Sequence, residues 1–106
     1  MKGEIILSNA KFLLGKLYST CGVAELQRQE PGFVTHVWGS LERYKQGDWG
    51  DLTDSDKKQN DLAMANPEDG GRILAAYEHP DHADWKIWII TESDRSCTTI
   101  LFPNEY

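Results

Sequence analysis

The run WKIWIITE, Trp85 to Glu92, leaves the chain little freedom in how it folds. An extended segment turns successive side chains to opposite faces, which puts Trp85, Ile87, Ile89 and Thr91 on one face and Lys86, Trp88, Ile90 and Glu92 on the other. Both faces are largely apolar, so both need cover, and the run belongs in the middle of a sheet. Candidate neighbours flank it: RILAAYEH, Arg72 to His79, across the turn HPDHAD, and TTILF, Thr98 to Phe102, across SDRS.

The first half of the chain reads mainly as helices. From Phe33 to Gln46, Phe33, Val34, Val37, Trp38, Leu41 and Tyr44 recur at intervals of three and four, the stripe of a helix laid on a core. Gly39 inside it costs about 1 kcal/mol relative to alanine, which points to a close contact there. Gly47 supplies the left-handed residue beyond the helix end. Before it, a short helix is expected from about Cys21 to Gln29, capped by Thr20 and stopped at Pro31-Gly32. A third is expected from Asp54 to Ala65, with Thr53 as N-cap, Asp54 and Asp56 favourable to the dipole, and Pro67 beyond its end. Only Leu62, Ala63, Met64 and Ala65 of this helix are apolar, so its first half stands in solvent unless a partner covers it. Ala10 to Thr20 reads as a strand interrupted at Gly15.

A length of 106 residues fits one domain, 1–106, with one core. The start, MKGEIILSNAKFLLG, has no long apolar stretch, and no run anywhere is long enough for a membrane span, so a cytoplasmic protein without membrane contact is expected. Cys21 and Cys97 lie far apart in sequence and are read as reduced thiols. The net charge of −6 is uneven: residues 1–47 carry +2, residues 48–69 carry −5 and residues 70–106 carry −3. Such an acidic chain repels phosphate backbones, which disfavours direct nucleic-acid binding and favours a partner with a basic surface.

Two motifs could carry chemistry. In GDWGD, Gly47 to Asp51, the glycines permit tight turns, Asp48 and Asp51 can accept exposed amides, and Trp49 can anchor the corner in the core. The sharper alternative makes Asp48 or Asp51 a general base or metal ligand. In DRSCTT, Arg95 offers a bidentate fork, and Ser96 and Thr98 add neutral donors, the makings of an anion site. The plainer alternative is a hairpin turn whose Arg95 pairs with Asp48, Asp51 or Glu92. His79 and His82 have a spacing that two metal ligands can use, beside Asp81 and Asp84, yet a solvated loop explains them equally. His36 reads as a surface or half-buried residue, and a Cys97–His nucleophilic pair needs a spatial neighbour that the sequence does not provide.

Taken in order, GDWGD, Asn60-Asp61, GGRILAAY at Gly70 to Tyr77, WIITESDRS at Trp88 to Ser96, TTILFP at Thr98 to Pro103 and the ending NEY resemble a family of small uncharacterised proteins carried by bacterial plasmids, prophages and other mobile elements. The resemblance covers most of the chain from Arg43 onward and only loosely the first 42 residues. Members of that family often have a histidine where this chain has Tyr44. The restriction-modification label that such proteins sometimes carry does not fit, because the chain has no methyltransferase motif.

The expected architecture is therefore a single α+β domain, two to three N-terminal helices packed on a small antiparallel sheet of three to four strands. The leading expectation for function is a small acidic accessory protein of a mobile element that binds a host protein, in an anti-defence role such as inhibition of a restriction or CRISPR machine. Its acidic segment, with Asp51, Asp54, Asp56 and Asp61, would imitate phosphates to a basic cleft. The alternative is a small ligand-binding or enzymatic domain whose site joins Asp48, Asp51, Arg95, Ser96 and Thr98. No cofactor or metal ion is implied by either.

Overall fold

The computed structural model describes residues 10–106; the reading of the chain's start, Met1 to Asn9, lies outside them. The elements follow as β1 (Lys16–Ser19), α1 (Cys21–Gln29), α2 (Pro31–Lys45), α3 (Asp54–Ala65), β2 (Ile73–Tyr77), β3 (Ile87–Thr91) and β4 (Cys97–Leu101), with single 3-10 turns at Ala83–Trp85 and Pro103–Glu105. This is the expected α+β class, with three helices on a four-stranded sheet. The strand order is β1-β4-β3-β2, so the doubly apolar strand is interior.

The sheet is mixed rather than purely antiparallel. Pairs β2–β3 and β3–β4 are antiparallel hairpin neighbours, whereas β1 runs parallel to β4. A short turn forces antiparallel pairing, but β1 reaches the sheet through three helices, and such a crossover leaves its direction free. Only Lys16–Ser19 of the expected Ala10–Thr20 strand is in the sheet. Before it, Gly15 adopts φ +67, where an added Cβ would lie 2.3 Å from the Ser96 carbonyl oxygen.

Helix α2 supplies the helical side of the core through Phe33, Val37, Leu41 and Tyr44, all buried against Ile73, Ala75, Tyr77, Ile87, Ile89 and Ile100. Pro31 does not merely stop α1; it also occupies the first turn of α2, where its missing N–H costs nothing. Thr20 and Thr53 cap α1 and α3 as expected. Gly39 is a correction: nothing lies within 4 Å of a Cβ built there, so it faces open space and no packing contact requires a glycine. Trp85 also shifts role, lying buried in a 3-10 turn before β3 and meeting Phe33 edge-on at 5.6 Å.

Candidate functional site

The GDWGD corner closes one edge of the sheet. Strand β2 pairs with β3 on one side, which leaves the main-chain groups of Leu74, Ala76 and Glu78 turned outward. The Asp51 amide donates to the Ala76 carbonyl at 2.7 Å, and the Ala76 amide to the Trp49 carbonyl at 3.4 Å, forming a one-residue parallel bridge. Asp51 Oδ2 then accepts the Glu78 amide at 2.9 Å. Farther along, the Asn60 carboxamide acts as a peptide group toward Leu74, donating to its carbonyl at 2.8 Å and accepting its amide at 3.3 Å. An exposed strand edge invites pairing with other chains, and this one is plugged. Gly50 is obligatory here, since it takes φ +74 and an added Cβ would lie 2.1 Å from the Ala76 carbonyl oxygen.

Trp49 is buried, 3% exposed, and its indole N–H donates to Asp61 at 2.8 Å. Thus adjacent residues of α3 serve the same corner, Asn60 holding the strand and Asp61 the indole. Asp48 receives both faces of the Arg43 fork, at 2.7 and 3.1 Å, and accepts the Gly50 amide at 3.2 Å. The Arg43 guanidinium holds the Asp48 carboxyl below the ordinary carboxylate range. Every carboxylate of the corner therefore has a structural bond.

Arg95 does not pair with a carboxylate. It lies 8% exposed, at φ +60, with its terminal nitrogens donating to the carbonyls of Ala63 at 2.9 Å, Gly71 and Glu92 at 3.1 Å and Ser93 at 3.2 Å. The guanidinium thus ties the end of α3 to the β3–β4 turn, using Glu92 through its main chain. Carbonyl dipoles replace the expected acid because the turn folds its own backbone around the fork. Ser96 is exposed, its amide bonded to Asp94 at 2.9 Å.

Thr98 is fully buried on the face of β4 that meets α2. Its hydroxyl donates to the Leu14 carbonyl at 2.7 Å and lies 2.7 Å from Thr91 Oγ1, which is 2.7 Å from the Tyr44 hydroxyl. One proton per hydroxyl gives a relay from Tyr44 to Thr91 to Thr98 to Leu14. The relay consumes the donors that an anion would need. Burial raises the Tyr44 pKa well beyond the ordinary phenol value, so this buried phenol is no base.

Another grouping lies beside the corner. A cleft of about 630 Å³ is lined by Arg43, Asp51, Glu78, His79 and Asp81, among others. Arg43 is already matched by Asp48, so the unmatched carboxylates give the cleft an acidic character; Lys86 approaches Glu78 only to 4.0 Å. Asp54 and Asp56 stand exposed on the first turn of α3, three and five residues beyond Asp51. The histidines gather next to it: His36 and His79 have ring centroids 5.1 Å apart, His79 and His82 5.2 Å, and His82 stacks on Trp85 at 3.8 Å. Among the described residues no three His, Cys, Asp or Glu are placed to hold a metal ion. Cys21 and Cys97 are free, and Cys97 points to the opposite sheet face from Thr98, away from these rings.

Sequence reading found the corner and its aspartates but missed Arg43, Glu78 and Asp81 as companions of Asp51. Glu78 is legible only once β2 is known to end beside the corner. Compared with known proteins, the chain matches no family model, no curated protein and no solved structure. Among the described residues no helix is long and apolar enough to cross a membrane.

Proposed function

We propose that the protein is a small acidic accessory protein of a mobile element that acts by binding a host protein with a basic surface. The supporting observation is the cleft of Asp51, Glu78 and Asp81 beside the exposed Asp54 and Asp56, acidic in sum because Arg43 is already neutralised by Asp48. Spaced carboxylates of this kind suit lysine and arginine side chains of a nucleic-acid-handling surface. The mobile-element resemblance makes a host restriction or CRISPR machine the partner to try first. This reading moves the centre of the contact from the helix α3 to the cleft. Asp61 holds an indole, and Lys57 and Lys58 offset much of the charge of Asp54 and Asp56 on their own helix.

The ligand-binding alternative loses its basis, since Arg95 and Thr98 spend their donors on carbonyls and a hydroxyl inside the fold. The test is capture of basic nucleases or effectors from host lysate with the wild type, with Glu78→Lys/Asp81→Lys and with Asp54→Lys/Asp56→Lys. Both pairs are expected to keep the melting temperature within a few degrees, because exposed charges contribute little to folding. The first pair should abolish capture and the second weaken it, with wild-type binding falling as salt rises. Capture unaffected by either pair, or by salt, defeats the reading.

A further inference from the structure

We propose that His79 is a proton-operated latch on the acidic cleft: the neutral ring holds Asp81 in place for a basic partner, and the protonated ring frees the turn and sets a positive charge among the carboxylates. The latch regulates the partner site proposed above and so rests on that reading. In the turn HPDH, His79 Nδ1 accepts the Asp81 amide at 3.1 Å. A nitrogen that accepts carries no proton, so this turn requires the neutral imidazole with its hydrogen on Nε2. A second proton turns the acceptor into a donor that faces another donor, and the bond is lost. Pro80, between the bonded pair, has no N–H, so the Asp81 amide is the donor that this turn has to satisfy.

The imidazole is held in its orientation by packing. Half-buried, it meets Trp85 edge-on at 5.0 Å, His36 edge-on at 5.1 Å and His82 at 5.2 Å, so rings from α2 and from the 3-10 turn set its plane. His82 is in turn stacked on Trp85. A ring gripped in this way cannot swing aside when it is protonated, so the turn has to give.

The charges around the ring give the proton its effect. Asp51 from the corner and Glu78 and Asp81 from the ring's own loop line the cleft with it. Arg43 of α2 is matched by Asp48, and Lys86, just before β3, reaches Glu78 only to 4.0 Å. Asp84 lines a separate groove with Lys86 and Phe102. Tyr77, beneath the Arg43 guanidinium, stays uncharged because burial raises its pKa. Burial first, then His79 itself, lowers the His36 pKa, which disfavours a second charge beside His79. His82 is exposed on the far side of the turn's packing, against Trp85. A positive His79 therefore subtracts directly from the carboxylates that attract a basic partner, while the freed turn lets Asp81 leave its place. The partner is held at neutral pH and released in mild acid.

A hexa-arginine peptide serves as the probe, because guanidinium groups keep their charge throughout. Its dissociation constant is measured at about pH 7.5 and about pH 5.5, a range in which imidazoles take up a proton while carboxylates stay charged. Wild type should bind at the higher pH and lose affinity at least about threefold at the lower, the scale of one exposed charge contact. His79→Asn offers the Asp81 amide an acceptor that does not titrate, so its affinity should be equal at both pH values. His36→Gln and His82→Gln should keep the wild-type loss. In the free wild-type protein, the Asp81 amide resonance should move together with the His79 ring titration by NMR; in His79→Asn it should stay still over the same range. An Asp81 amide indifferent to the His79 titration overturns the latch, as does a wild-type affinity equal at both pH values or a loss that His79→Asn retains. A peptide that wild type ignores at both pH values, or that Glu78→Lys/Asp81→Lys still binds, defeats the cleft reading and takes the release step with it.

Discussion

Replacing Asn60 tests whether the corner is held as a sheet edge. Its carboxamide makes two bonds to the Leu74 peptide group while only 6% exposed. Each bond contributes about 1 kcal/mol net, and truncation leaves the Leu74 donor and acceptor poorly satisfied at a half-buried edge, so Asn60→Ala should cost about 2–3 kcal/mol. At ~2.1 cal/mol/K per residue, the unfolding entropy of a 106-residue chain is about 0.22 kcal/mol/K, which converts that loss to a Tm fall of about 9–14 °C. Asn60→Asp separates the two bonds, because it keeps the acceptor for the Leu74 amide and sets a carboxylate against the Leu74 carbonyl. At neutral pH it should cost at least as much as alanine. The introduced carboxyl can donate once protonated, so its folded-state pKa is raised and the lost stability returns as pH falls through that value. Urea unfolding of both variants, with the exposed Gln59→Ala as control, reads these differences. An Asn60→Ala variant within about 0.5 kcal/mol of wild type, or an Asn60→Asp variant that matches it at neutral pH, refutes the edge reasoning.

Trp49→Ala empties a buried site at the same corner and should cost about 3–5 kcal/mol by denaturant unfolding, whereas Trp49→Phe loses chiefly the Asp61 bond and should cost markedly less. Arg95→Met leaves four carbonyls without the fork and should lower stability by about 3 kcal/mol or more; a silent substitution would mean that water serves them equally well. His36 is half-buried, and burial first, then the neighbouring His79 and Arg43, lower its pKa from the ordinary 6.5 despite the opposing pull of the Tyr77 and Trp85 main chains. The unfolded chain then takes up the proton first, so this contribution is complete above pH 6.5 and is lost as pH falls through and below it. Chemical denaturation between neutral and mildly acidic pH should show a slope that His36→Gln reduces, and an unchanged slope counts against His36 as its source.

The sequence by itself determined the elements whose signal is local. WKIWIITE is apolar on both faces and could only be interior; the stripe from Phe33 to Tyr44 could only be a packed helix; Thr20, Thr53 and Gly47 marked ends because capping and left-handed geometry depend on one or two residues. The GDWGD corner was legible as a turn with a buried tryptophan for the same reason. What it braces was not. That Asn60 reads a peptide 14 positions away, that Arg95 is surrounded by carbonyls rather than carboxylates, and that Thr98 belongs to a buried relay instead of an anion site are facts of partners distant in sequence. The parallel direction of β1 and the meeting of Asp51 with Glu78 and Asp81 are of the same kind. Hydrogen-bond valence tells what a side chain can bind, while only the packed fold decides which group arrives to be bound.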